Sequence, residues 1–143
     1  MLNMLLLAVA AMAGGEGQPM AVSADIQVDV GHSDWSRMTP IKAAARELPN
    51  TAMVARVEEM FAKGECSIPG QRARHFDVSI PYGVLVNPDG TVRRIVVNDT
   101  GCRPLETYVG QILLARAQLG DFRAGAAATA RWYAGSINFN LDS

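Results

Sequence analysis

Three stretches in the second half of the chain alternate apolar with polar residues, and this alternation predicts strands. Phe76, Val78 and Ile80 alternate before Pro81, and Tyr82, Val84 and Val86 after it, giving one strand over residues 75–87. Pro81 has no backbone donor, so a bulge or a sheet edge is expected there. Asn87-Pro88-Asp89-Gly90 is a strong turn sequence, because proline presets one backbone angle and Asp-Gly tolerates positive φ. Residues 91–98 resume as a second strand, and the two make a hairpin. The stretch from Arg131 to Leu141 places Tyr133, Ile137, Phe139 and Leu141 on one face, with Trp132, Ser136, Asn138 and Asn140 on the other. It reads as a half-buried strand.

Elsewhere the period changes to that of a helix. Thr39-Pro40 supplies a cap and a proline at the first helical position, so a short helix is expected over residues 41–48, stopped by Pro49. Asn50 caps a second helix running to Lys63, with Met53, Val57, Met60 and Phe61 as its apolar stripe and Gly64 at its end. Pro104 opens a third, on which Leu105, Val109, Ile112 and Leu113 mark the buried face until Gly120. Glu106, Gln111 and Arg116 are assigned to its outer side. Residues 14–38 are mixed and polar and read mostly as linker, although Ile26 to Val30 alternates like a short strand, and residues 123–130 read as an Ala/Gly loop.

The element order is therefore helix, helix, strand, strand, helix, strand. It predicts an α+β fold, a small antiparallel sheet of about three strands covered on one face by helices. If the last strand lies beside the second strand of the hairpin, its outer side is left unpaired and can accept a guest strand. The expected organisation is a signal peptide over residues 1–24, a linker over 25–38 and one α+β domain over 39–143.

Composition narrows the function classes. Thirteen Lys and Arg against fourteen Asp and Glu leave no global field to attract nucleic acid or anionic lipid. The apolar run Met4 to Ala13 is too short to span a bilayer but suits the core of an export signal, with small residues at Ala11-Met12-Ala13 and Val22-Ser23-Ala24 as cleavage sites, although no Lys or Arg precedes it. The mature chain is thus expected to be exported and to carry no transmembrane span. Two cysteines, Cys66 and Cys102, form no CxxC pair; in an exported chain they can close one disulfide, worth roughly 3 to 4 kcal/mol. Two unrelated buried thiols are the other reading, favoured if the chain stays in a reducing compartment.

Few residues carry candidate chemistry. Asp99-Thr100-Gly101 after an apolar strand has the form of an aspartic-peptidase turn, which in one copy requires a homodimer. Asn98 before it and Cys102-Arg103 after it depart from such sites, and the plainer reading makes Asp99 a cap of the strand-to-helix corner. His32, near Asp34, and His75 are not spaced with Cys66 or Cys102 as a nucleophile and base require. Arg72, Arg74, Arg93, Arg94 and Arg103 lack the interleaved aromatics of a base-stacking surface and read as a solvated face. Residues 120–125 lack the Lys-Ser/Thr of a phosphate loop. No metal site, cofactor or catalytic residue is assigned.

The run Tyr82-Gly83-Val84-Leu85-Val86-Asn87-Pro88-Asp89-Gly90-Thr91-Val92, then Val96-Val97-Asn98-Asp99-Thr100-Gly101, resembles the C-terminal domain of the TonB family of energy transducers. In that family a helix with a Leu-acidic start follows, matched by Leu105-Glu106, then a Phe-Arg segment, matched by Phe122-Arg123, then a closing strand, matched by Ile137-Asn138-Phe139-Asn140-Leu141. The resemblance implies a periplasmic α+β module that pairs its last strand with a short segment of an outer-membrane transporter. It puts the partner-binding residues at Ser136, Ile137, Asn138, Phe139 and Asn140. The family's membrane anchor, Pro-rich spacer and Tyr-Pro start of the domain have no counterpart in this sequence, and the cysteine pair is not part of its pattern. The expectation is a stand-alone, disulfide-closed, non-enzymatic binding module, with the homodimeric peptidase and a structural accessory domain as alternatives.

Overall fold

Asn87 to Gly90 reverses the chain as its sequence requires: Gly90 N–H donates to Asn87 O (2.9 Å), Asn87 N–H donates to Thr91 O (2.8 Å), and Gly90 takes φ +91°. Asp89 holds the turn by accepting from Thr91 N–H (3.0 Å) and Thr91 Oγ1 (2.6 Å). The structure, a computed structural model, describes residues 26–41, 48–122 and 128–143. Its elements are β1 (Gln27–Gly31), a 3₁₀ turn (Trp35–Arg37), β2 (Thr39–Pro40), α1 (Thr51–Ala62), β3 (His75–Val86), β4 (Val92–Asn98), α2 (Arg103–Gln118) and β5 (Arg131–Asp142). The helix expected over residues 41–48 falls on positions 42–47, which lie outside the described residues.

The fold is α+β, and the sheet has five strands rather than three, in the order β1-β4-β3-β5-β2. The added strands are β1, which lies in the span expected as linker and runs parallel to β4, and β2, which runs parallel to β5. Thr39-Pro40 is thus a two-residue edge strand and not a helix start. Proline has no ladder donor to lose when it sits at such an edge. A second correction concerns order: β5 lies beside β3, antiparallel over their full twelve residues from His75↔Asp142 to Val86↔Arg131, and not beside β4. Tyr82 to Val86 is buried at all five positions, the signature of a central strand covered on both faces. Of the two expectations at Pro81, a local edge is met and a bulge is not. The register shift falls at Leu85/Val86, while Pro81 stays in register with Ser136, just past the last β3–β4 pair, Tyr82↔Val97.

Both described helices lie on one face of the sheet. Asn50 caps α1 by accepting from Met53 N–H (2.9 Å), and Val57, Met60 and Phe61 turn toward the sheet, Phe61 meeting Phe76 at 5.2 Å between ring centres. On α2, Leu105, Val109 and Leu113 are fully buried over Ile95 and Val97, each worth about 2 kcal/mol relative to exposure. A disulfide joins Cys66, just past α1, to Cys102, the residue before α2. This cross-link spans 36 residues and removes loop entropy worth about 4 kcal/mol. The opposite face is crossed by the segment joining β1 to β2. There Trp35 donates from Nε1 to Asn98 Oδ1 (3.2 Å) and, with Met38 and Trp132, closes over Gly83, where a Cβ would stand 3.0 Å from the Trp35 ring. Among the described residues no helix is long and apolar enough to cross a membrane.

Candidate partner-binding edge

The five residues assigned from the sequence lie together on β5, and the pleat divides them. Ile137 and Phe139 are buried on the helix side, at 1% and 0% exposure, and fix the strand to the core. Ser136, Asn138 and Asn140 are exposed on the other face. Asn138, with its amide nitrogen toward β3, donates to Val78 O (3.1 Å) and Asp77 Oδ1 (3.0 Å), which holds its side chain flat on the sheet.

Backbone direction follows from one observed bond. Ile41 N–H donates to Ala134 O (2.9 Å), so Ala134 turns its peptide groups toward β2 and away from β3. Because β5 runs in unbroken register from residue 131 to 142, every second residue repeats that direction. The N–H and C=O groups of Ser136, Asn138 and Asn140 therefore point out of the sheet. The β2 pairing reaches only Tyr133 and Ala134, and no described strand lies against the edge beyond them. The edge has no Lys and no Pro between Ser136 and Asn140, the residues that commonly block strand addition.

An open groove of about 310 Å³ adjoins the start of this edge, lined by Trp35, Met38, Pro40, Pro81, Ala134 and Ser136. At the far end His75 Nδ1 meets Asp142 Oδ1 (3.0 Å) and Ser143 N–H donates to Arg74 O (3.0 Å), which ties down the last residues of β5. The stretch in between thus has fixed ends, an apolar anchor beneath it and outward backbone groups that no described residue pairs with.

The Asp99 corner has a different geometry. Asp99 Oδ1 accepts from Gly101 N–H (2.9 Å), and Oδ2 lies 3.7 Å from His32 Nε2. The Gly101 N–H, the side-chain bond with Glu106 and the nearby His32 and Arg103 hold the Asp99 carboxyl below its ordinary range. Glu106, assigned from the sequence to the outer side of its helix, is buried at 3% exposure. Its Oε2 accepts from Thr100 N–H (2.6 Å), Thr100 Oγ1 (3.0 Å) and Gly101 N–H (3.0 Å). The turn Asp99-Thr100-Gly101 is therefore closed on itself by the Asp99 carboxylate and stapled to the first turn of α2 by that of Glu106. The sequence held a sign of this: Glu106 stands three and seven residues before Val109 and Leu113, on the buried stripe itself.

The arginines do not converge. Arg74 and Arg93 stand at opposite ends of β3, about 35 Å apart along the strand. Arg94 is held by Asp29 (2.8 Å) beside the Trp132 ring (5.9 Å). His32 and His75 each face a single carboxylate, Asp99 and Asp142. Among the described residues no group of three or more His, Cys, Asp or Glu side chains is placed to hold a metal ion. Comparison with protein-family models, with characterised proteins and with solved structures finds no match to this chain.

Proposed function

We propose that this chain is an exported, non-enzymatic protein-binding module that takes up an extended segment of its partner as an added strand along β5. The observation that carries the reading is the outward direction of the Ser136, Asn138 and Asn140 peptide groups on an edge that no described strand covers. Each guest residue opposite one of them would exchange two backbone bonds, as strand addition requires. Guest residues opposite Ile137 and Phe139 would turn toward the helix face, so apolar side chains at alternate positions fit best. The resemblance to the TonB C-terminal domain supports the same edge and suggests a periplasmic site and a segment of an outer-membrane transporter as partner. The buried disulfide suits an oxidising compartment.

The test is Asn138→Pro. Its N–H faces out of the sheet, so proline there removes, besides the side-chain bonds that alanine also removes, no backbone bond to the described residues, but deletes one offered to a guest and places a ring in the guest's path. Photo-crosslinking from Asn140 in the native compartment reads partner capture. Asn138→Pro is expected to reduce it about tenfold or more at the melting temperature of Asn138→Ala, while Asn138→Ala, which loses only the side-chain bonds, retains it. Equal capture by the proline variant would overturn the proposal.

A further inference from the structure

Among the described residues the opposite border of the sheet is also without a neighbouring strand. Asp99 N–H donates to Gly31 O (3.1 Å), so Gly31 and, by alternation, Asp29 and Gln27 turn their peptide groups toward β4. Ile26, Val28 and Val30 therefore direct theirs outward, and no described strand lies on that side. Their side chains face the helix side, where Ile26 and Val28 pack against the core and Val30 is left 41% exposed. Between β1 and α2 runs a groove of about 490 Å³, floored by Val28 and Val30 and walled by Thr107, Gln111 and Leu114, with Arg103 at its mouth. Gly110 brings the helix close, since a Cβ there would lie 3.1 Å from Val28 Cγ1.

We propose that two copies of this chain associate by antiparallel pairing of β1 with β1, centred on Val28. Charge decides the register. Only residues whose peptide groups point outward can pair by hydrogen bonds, so the two-fold axis passes through a residue and not between two. An axis at Asp29 sets two aspartates directly opposite one another, an unfavourable like-charge pair. An axis at Ile26, Gln27 or Val30 leaves part of β1 beyond the overlap. With the axis at Val28, Val28 meets Val28 of the second copy, and Ile26 meets Val30 twice. Gln27 then stands opposite Asp29, and its amide already reaches the Asp29 carboxylate within one chain, at 3.2 Å. The strand is thus complementary to itself in apolar pattern, hydrogen bonding and charge.

The helices fit the same arrangement. α2 lies over β4 and β1. With strands about 4.8 Å apart, a helix centred between β4 and β1 stands about 10 Å from its symmetry mate and one centred over β4 about 14 Å, within reach of long side chains. Thr107, Gln111 and Leu114 meet across the axis and the groove is filled. The result is a continuous ten-stranded sheet with one β5 edge at each flank.

Single cysteines read the register. In the proposed pairing the two Val28 Cα atoms are about 5.5 Å apart, within disulfide reach, whereas the two Asp29 Cα atoms are offset by two residues and about 8 Å apart, beyond it. Under mild oxidation, Val28→Cys is expected to give a reductant-sensitive dimer, and Asp29→Cys about tenfold less of it. Sedimentation velocity of the unsubstituted protein, with its own disulfide intact, is expected to show a dimer that Val30→Pro dissociates without lowering the monomer's melting temperature, since the Val30 N–H has no partner among the described residues. A monomer throughout the micromolar range overturns the proposal, as does preferential cross-linking of Asp29→Cys. So does a dimer in which neither cysteine cross-links, which would place self-association on another surface.

Discussion

The Glu106 staple gives the sharpest test of how this fold is held. Replacing Glu106 by alanine removes the acceptor of three donors. They are not equally affected. Gly101 N–H keeps Asp99 Oδ1 at 2.9 Å, and the Thr100 hydroxyl keeps Cys102 O at 3.4 Å, but Thr100 N–H has no other bond in the corner. One orphaned amide costs about 1–3 kcal/mol, and losing a charge-assisted bond and a carboxylate at a helix N-terminus adds about 1 kcal/mol. Glu106→Ala is therefore expected to destabilise by about 3 kcal/mol. Glu106→Gln keeps a carbonyl oxygen at the same place and loses only the charge, for about 1 kcal/mol. Urea unfolding of the disulfide-intact protein, followed by tryptophan fluorescence and circular dichroism, measures both, with the denaturant slope as a check that the unfolded state is unchanged. A loss below about 1 kcal/mol for the alanine variant, or a glutamine variant as unstable as alanine, would refute the reasoning.

Other outcomes follow from the same packing. Joint replacement of Cys66 and Cys102 by serine is expected to cost about 4 kcal/mol in urea unfolding, from the 36-residue span of the cross-link; a loss under about 1 kcal/mol contradicts it. Gly135→Ala would place a Cβ 2.6 Å from the Tyr82 hydroxyl and 2.7 Å from its ring, with Tyr82 only 2% exposed, so overpacking of about 2–3 kcal/mol is expected. Gly83→Ala meets the half-buried Trp35 and Met38, which can give way, and is expected to cost less; the reverse order in thermal melts would contradict this. Burial pushes the Tyr82 hydroxyl up to about 12, so folding favours its neutral form. The associated stability is present below the ordinary tyrosine range near pH 10 and is lost as pH rises toward 12. Absorbance titration is expected to show a high-pH component that Tyr82→Phe removes, and its persistence in that variant would show the assignment to be wrong.

The two borders of the sheet suggest one working arrangement. Pairing at β1 leaves β5 untouched, so a dimer would present two guest edges on one rigid sheet. A partner carrying two segments at matching spacing would then gain affinity through effective concentration, without any new contact.

Local order was legible in the sequence because local rules produce it. The Pro-Asp-Gly turn, the Asn50 cap, the 3.6-residue stripes of both described helices and the two-residue alternation of β3 and β5 each depend on a few neighbouring side chains. The Cys66–Cys102 pair could be expected because only one pairing is available to two cysteines. Tertiary structure alone decided the rest. Alternation gives a strand its two faces but not its neighbours, so β5 could be placed beside β4 on sequence grounds, whereas the full-length twelve-residue pairing available on β3 settled its position. β1 shows its alternation in the sequence but not its parallel pairing with β4, and the two residues of β2 become a strand only because a sheet border is there to pair with. Glu106 looked like a surface charge because acidic residues usually are. Its burial is tolerable only where the folded corner brings Thr100 and Gly101 donors to it, an arrangement that exists once β4 and α2 have packed together.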